Sequence, residues 1–229
     1  MSSWSVFDAT KDLRTALEAI ADPERAGPMA DYMRNRFVFL GIQAKDRRTA
    51  TKPWLRQAKR AEADALLDFA AWCWDQTERE FHHVGTDALR AGASNLRAQD
   101  LDAVKQLVTT HSWWDTVDAL AAWTVGPLVD RHQLRDRMDE WIHSDNLWVA
   151  RTAILHQLSY KDRTDPERLF RYADLRAEDT EFFIRKALGW ALRQYARVAP
   201  DEVRAFVEPR RDRLSGLTVR EAMKHLDSH

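Results

Sequence analysis

Apolar residues recur along this chain at intervals of three and four, a spacing that gathers them on one side of a helix. Near the start Val6, Leu13, Leu17 and Ile20 follow that rule, with Ser3 placed to cap a helix from Trp4 to about Ala21. Asp22-Pro23-Glu24 reads as the next helix start. The aspartate caps, the proline sits where its missing N–H costs nothing, and the glutamate faces the positive end of the dipole. The tetrapeptide Asp22 to Arg25 returns at Asp165 to Arg168, and Ala199-Pro200-Asp201-Glu202 is a relative of it. Gly41 is expected to end the helix that carries Tyr32 to Phe37. Pro53 is expected to break the following segment, with helix resuming from Trp54 to about Trp74. Residues 84–100, with Gly85, Gly92 and Ser94, read as a short helix between loops. Sustained period-two alternation is lacking, as are Asn-Gly and Asp-Gly turns, so the expected fold class is all-α.

A longer period overlies the helical one. Ala119-Leu120, Ala153-Ile154, Ala187-Leu188 and Ala222-Met223 each fall inside an apolar-periodic helix, 34, 34 and 35 residues apart. Ala88-Leu89, 31 residues before the first pair, reads as a degenerate copy. A small residue beside a large one lets a neighbouring helix come close at the alanine. A repeat of this length with two helices per unit is the pattern of an α-solenoid. Residues 1–229 are therefore expected to form a single repeat domain with a concave groove. In that frame corresponding helices present Trp114 with Asp118, Trp148 with Arg151, and Trp190 with Arg193.

Composition narrows the chemistry. Lys and Arg total 35 against 36 for Asp and Glu, so net charge carries no hint of nucleic acid. A DNA partner would require basic residues segregated onto one surface. The single cysteine, Cys73, excludes an intramolecular disulfide and reads as a small buried hydrophobe. With no signal peptide and no apolar run near 18 residues, a cytoplasmic protein without membrane contact is expected. Phosphate loops, nucleophile elbows and zinc-type Cys/His groupings do not occur, so neither metal nor cofactor is expected. Any catalysis must run on carboxylate, aromatic and arginine side chains.

The stretch His111-Ser112-Trp113-Trp114-Asp115-Thr116-Val117-Asp118 supplies such chemistry. On a helix four residues turn through about 400°, so Trp114 and Asp118 share a face while Asp115 points about 100° away from Trp114. An electron-rich ring beside a fixed negative charge suits a substrate that becomes positive during reaction. The same residues also suit plain packing, with a core tryptophan and a solvated aspartate. Likewise Trp148 and Trp190 suit an inter-repeat core, and Arg151 and Arg193 suit solvated positions or ion pairs with Asp145 or Asp179.

In these passages the chain resembles the AlkD-like DNA glycosylases, HEAT-like-repeat enzymes of alkylation repair. The resemblance rests on Pro28 to Ile42, Ser112 to Asp118, Ser144-Asp145-Asn146-Leu147-Trp148 with Arg151, Phe182-Phe183-Ile184 with Lys186 to Arg193, and Arg220 to His225. It runs in one order from about residue 23 to 226 and is weakest between about 50 and 105. It implies a monofunctional glycosylase that removes N3- and N7-alkylated purines from duplex DNA. The implied catalytic set is Asp118, Trp114 and Trp190, with Arg151 and Arg193 beside the lesion. Trp113, Trp148, Tyr32 and Lys161 complete the expected DNA-binding set, and the protein is expected to act as a monomer.

The implied reaction fits the residues. An N3- or N7-alkylated purine is cationic and departs as a neutral base, so no general acid is needed. The sugar becomes oxocarbenium-like, which Asp118 can stabilise while the two indoles pack against it. The arginines would hold phosphates and set register rather than sequence. The resemblance further implies recognition on a surface, without the base pocket that most glycosylases use. The alternative from another class is a non-catalytic helical-repeat protein that binds branched DNA or a protein partner.

Overall fold

A computed structural model describes residues 6–224 and Leu226. Ser3 and Trp4, and with them the expected first cap, lie outside the described residues. Within the described residues the chain is helical and has no strand. No described helix is long and apolar enough to cross a membrane. The chain divides into two compact units, Met1–His111 and Ser112–His229.

The first unit contains α1 (Val6–Glu18), α2 (Pro23–Tyr32), α3 (Ala44–Ala50), α4 (Lys52–Ala58), α5 (Ala63–Trp74), α6 (Arg79–Gly92) and α7 (Leu101–Thr109). Asp22 caps α2 as expected, accepting from the Glu24 and Arg25 amides. The helix stops at Tyr32, well before Gly41, because Arg34 and Asn35 turn left-handed at φ 57° and 55°. Gly41 (φ 83°) has another task. A Cβ there would lie 1.9 Å from the Asp22 carbonyl oxygen, so only glycine admits that approach. The buried Glu80 carboxylate accepts from the Leu40, Gly41 and Ile42 amides at 3.0 Å each, which replaces the water it lost.

Two further expectations are corrected in this unit. Helix does not run unbroken from Trp54 to Trp74. It turns at residues 59–62, where Asn95 Nδ2 donates to the Lys59 and Ala61 carbonyls at 3.1 and 2.9 Å. Residues 84–92, read as part of a short helix between loops, complete the long helix α6. Their glycines are packing devices: added Cβ atoms would lie 2.9 Å from Cys73 Cβ at Gly85 and 2.5 Å from Leu66 Cδ2 at Gly92. That closeness lets α6 lie on α4 and α5. Cys73 is buried on α5, as its apolar surroundings suggested.

The second unit contains α8 (Trp114–Leu120), α9 (Gly126–His132), α10 (Arg135–Trp141), α11 (Leu147–Leu155), α12 (Pro166–Leu175), α13 (Phe182–Tyr195), α14 (Pro200–Val207) and α15 (Gly216–Met223). Asn146, Asp165 and Ser215 cap α11, α12 and α15 through their side chains. The 34-residue period is realised as a layer: α8 packs on α11, α11 on α13 and α13 on α15. Leu120, Ala153, Ile154, Ala187, Leu188, Ala222 and Met223 are buried within it. Only Ala119 of the periodic pairs is partly exposed. Gly189 makes the tightest of these crossings, since a Cβ there would meet Glu221 Cβ at 2.4 Å.

Each unit also buries a neutral histidine. Arg79 Nη1 donates to His82 Nδ1 at 2.9 Å, so the ring proton sits on Nε2 and is donated to the Gln76 carbonyl at 3.0 Å. His156 donates Nδ1–H to the Ala153 carbonyl at 2.6 Å. Burial lowers both rings to a pKa of about 4. At His82 the neighbouring Arg79 guanidinium is a second cause of that value. Because the folded values lie below the unfolded value near 6.5, the unfolded chain binds protons first on acidification. Stability should therefore fall progressively between about pH 6.5 and pH 4, by up to roughly 3 kcal/mol per ring. Urea titrations at about pH 7 and pH 5 check this. His156→Gln should reduce the pH dependence, and an unchanged midpoint at the lower pH would show that the folded rings accept protons freely.

Candidate active site

The site is built around one ion pair. Asp118, in the second turn of α8, faces Arg151 on α11. Arg151 Nε donates to Oδ1 and Nη2 to Oδ2, both at 2.7 Å, so the pair is bidentate. The third nitrogen, Nη1, donates to the Phe183 carbonyl. Arg151 is 1% exposed, while the Asp118 side chain keeps 14% of its surface. Burial pushes the Asp118 carboxyl above the usual range. The Arg151 guanidinium opposes that as charge and as donor, whereas Asp115 adds to it. Each carboxylate oxygen uses one lone pair on Arg151 and retains another.

Trp190, on α13, stands beside this pair. Its Nε1 donates to Glu221 Oε2 at 3.1 Å, and Arg193 Nη1 donates to the same oxygen at 2.8 Å. The close crossing at Gly189 brings α15, and so Glu221, within reach. Three cations surround the Trp190 ring: Lys186 Nζ at 5.6 Å, and the Arg151 and Arg193 guanidinium carbons at 5.9 Å each. These distances lie at the outer edge of cation–π reach.

After Leu120 the backbone does something the periodicity does not anticipate. Residues Ala121–Val125 form a π turn, and the Gly126 N–H bonds to the Ala121 carbonyl five residues back. Gly126-Pro127 supplies the cause. Proline has no N–H to donate, and in an α-helix its ring would press on the carbonyl four residues earlier, that of Trp123. The Ala122 carbonyl, released by the wider turn, accepts from Ser159 Oγ at 2.9 Å. The Gly126 carbonyl accepts from the Tyr160 hydroxyl at 2.7 Å. A Cβ at Gly126 would fall 2.1 Å from the His156 carbonyl oxygen, so only glycine allows this seating.

An open cavity of about 690 Å³ lies in the second unit. Trp114, Trp123 and Trp190 line it with Asp115 and Asp118, while Lys161, Arg193 and Arg197 supply positive charge. The structure thus brings together Asp118, Trp114, Trp190, Arg193 and Lys161 from the expected set. Lys161 is exposed, in a left-handed turn at φ 58°. Asp115 also lines the cavity, although its position in the helix had set it apart from Trp114.

Two expected DNA-binding residues lie in the interior. Trp113, 4% exposed, precedes α8 in extended conformation and packs against Trp148 and Phe183, with ring centroids 5.7 and 5.0 Å away. It builds the core behind the ion pair. Arg151 is buried, and all three of its nitrogens are engaged within the protein. Its partner is neither Asp145 nor Asp179. Trp148 is half-buried in the same aromatic cluster. Tyr32 is 72% exposed and belongs to the first unit. Sequence reasoning missed Trp123, Arg197 and Glu221; the proline inside a helical pattern was the one available signal for the first.

A family model described as DNA alkylation repair enzyme matches residues 13–226. The chain belongs to that family. Among solved structures, a predicted DNA alkylation repair enzyme from Enterococcus faecalis superposes with a TM-score of 0.84 at 30% identity, covering 91% of this chain and 98% of that one. The smu.31 protein of Streptococcus mutans UA159 superposes at 0.60 with 18% identity, over 78% and 94% of the two chains, and shares the fold. No curated protein matches. Membership of a DNA alkylation repair family supports a repair role, and the site has the anionic and aromatic groups to take part in one.

Removing one member of the ion pair should be costly. Arg151→Met leaves a carboxylate buried without its partner and should destabilise the protein by about 3–5 kcal/mol. Adding Asp118→Asn should restore part of that loss, measured as a double-mutant cycle in urea. A single-variant loss below about 1 kcal/mol would put this pair in the class of exposed ion pairs.

Proposed function

We propose that this repair protein is a monofunctional DNA glycosylase that hydrolyses the N-glycosidic bond of N3- and N7-alkylated purines in duplex DNA. The observation that carries the reading is Asp118: a carboxylate gripped by Arg151, yet open to a cavity walled by tryptophans. The substrate base is already cationic, so breaking its bond to the sugar releases a neutral purine and needs no proton donor. Positive charge then passes to the deoxyribose. Asp118 meets it with the lone pairs that Arg151 leaves unused, and the same oxygens can orient the attacking water. Arg151 is a positioning residue. It fixes the carboxylate and favours its ionised form against the pull of burial.

Trp114 packs against the sugar from the Asp118 side, and Trp190, anchored by Glu221, from the other. Phosphate contacts fall to Arg193 and Lys161. Arg193 spends one nitrogen on Glu221, which leaves the rest of its fork for a phosphate. The stacked order of α8, α11, α13 and α15 supports HEAT-like repeats as the scaffold. An open cavity also supports recognition of bulky adducts, since a substituent can project outward.

Asp118→Asn retains the shape and loses the charge. Single-turnover excision of N7-methylguanine from saturated duplex should fall by roughly 10²–10³-fold, with binding preserved. Asp115→Asn, which has no Arg151 to hold it in place, should lose far less. Wild-type binding without any excision would instead favour a non-catalytic repeat protein.

Excision requires ionised Asp118, and its pKa is raised. The rate should therefore decline with acidity from a pH above the ordinary aspartate range near 3.8. An acid limb at or below that value would dissociate Asp118 from the rate.

Arg193→Ala should weaken binding to all duplexes alike and flatten the plot of log affinity against log salt by roughly one unit. An unchanged slope would remove Arg193 from the phosphate contacts.

A further inference from the structure

Glu221 does not line the cavity, yet the repeat gives it a particular place. It precedes Ala222 as Asp118 precedes Ala119, with Thr152 and Lys186 at the same point of the repeats between. The layer therefore carries one carboxylate on its first helix and another on its last, at a single position of the repeat. The close crossing at Gly189, where an added Cβ would lie 2.4 Å from Glu221 Cβ, sets α15 against α13 and brings the second carboxylate to Trp190. One oxygen, Oε2, accepts from Trp190 Nε1 at 3.1 Å and from Arg193 Nη1 at 2.8 Å. With 19% of its side chain exposed, that carboxylate is only weakly screened by solvent.

The hydrogen bond to Trp190 does two things. It fixes the rotation of the indole, so the face that Trp190 presents is set by α15 as well as by its own helix. It also carries charge. An indole that donates its N–H to an anion is polarised toward its ring, and a ring richer in electrons attracts a cation more strongly. Lys186, Arg151 and Arg193 around the ring act in the opposite direction. We propose that Glu221 is a positioning residue whose negative charge, passed through the Trp190 N–H, strengthens the attraction of that indole for the cationic sugar formed as the base departs. Arg193 shares the same oxygen, but there the effect is the reverse: Glu221 withholds one guanidinium nitrogen from a phosphate. The inference rests on the glycosylase reading for the developing charge. It concerns the rate of cleavage, and neither the choice of base nor the strength of binding.

The test is a set of double-variant rates. Single-turnover excision of N7-methylguanine from saturated duplex is measured for Glu221→Gln, Trp190→Phe and Arg193→Ala, and for Glu221→Gln combined with each of the other two. Glutamine keeps the length of the side chain and an oxygen acceptor but loses the charge. Its rate should fall by about 2- to 30-fold, the range of one cation–π contact, while duplex affinity stays equal or rises because Arg193 is released. Trp190→Phe has no N–H to donate and should lose at least as much. In that background Glu221→Gln should cost nothing further, whereas in the Arg193→Ala background it should cost its full factor. Circular dichroism and urea midpoints establish that the variants are folded. Glu221→Asp, which draws the charge back by one methylene, should behave in the same way and carries the comparison if the glutamine variant does not fold. Additive losses from Glu221→Gln and Trp190→Phe are what a role confined to packing would give, and they would overturn the proposal. So would a wild-type rate for either single variant, or a loss that disappears with Arg193. Failure of the glycosylase reading looks different: the wild type itself would bind the duplex and excise nothing, and both readings would fall together.

Discussion

The bidentate pair between Asp118 and Arg151 is the constraint on which the second unit turns. A carboxylate this poorly hydrated tends to take up a proton, and a neutral acid has little to offer a developing cation. Arg151 counters that tendency from behind, and its own position is enforced by the Phe183 carbonyl and by the aromatic cluster of Trp113, Trp148 and Phe183. The tryptophans nearest the charged pair therefore divide into two groups. One group closes off the back of the pair, and the other borders the cavity in front.

The helices that carry these side chains are held at distances set by small residues. Gly189 lets α15 close on α13, so that one glutamate oxygen anchors both Trp190 and Arg193. Gly126 lets the segment after α8 settle on the end of α11, where Ser159 takes the Ala122 carbonyl that the π turn frees and Tyr160 binds the Gly126 carbonyl. Both glycines stand next to a side chain of the site or a turn that displays one. The geometry of the candidate site is thus a product of close helix approach, and substitutions remote from Asp118 can shift it through those approaches.

Much of this was legible in the chain alone. Three-and-four periodicity, the Asp-Pro-Glu starts and the absence of alternation point to helices, because these are local properties of the backbone and its caps. The 34-residue recurrence of Ala-aliphatic pairs marks the layer α8, α11, α13 and α15, since a small–large pair records contact with a neighbouring helix. The four-residue spacing of Trp114 and Asp118 is enough to put them on one face.

Partnership was beyond sequence reasoning. The residues 118 and 151, or 190 and 221, are joined only when separate helices pack, and nothing local distinguishes an arginine that will hold a carboxylate from one that will meet solvent. Arg151 and Trp113 therefore looked like surface residues and turned out to be interior. Glycine misled in the same way. Gly85 and Gly92 suggested a short helix between loops, but helix-on-helix contact gives them a packing role that propensity cannot register. Trp123 is the instructive middle case. Pro127 announces that the α-helical ladder must fail nearby, but whether the chain stops, kinks or widens there depends on acceptable partners for the released carbonyls. Ser159, more than thirty residues later, supplies one for Ala122. The sequence by itself determined the helices and their faces, which are local matters of periodicity and capping; only the tertiary structure decided which charges and rings those faces would meet, because desolvation and pairing belong to contacts between distant segments.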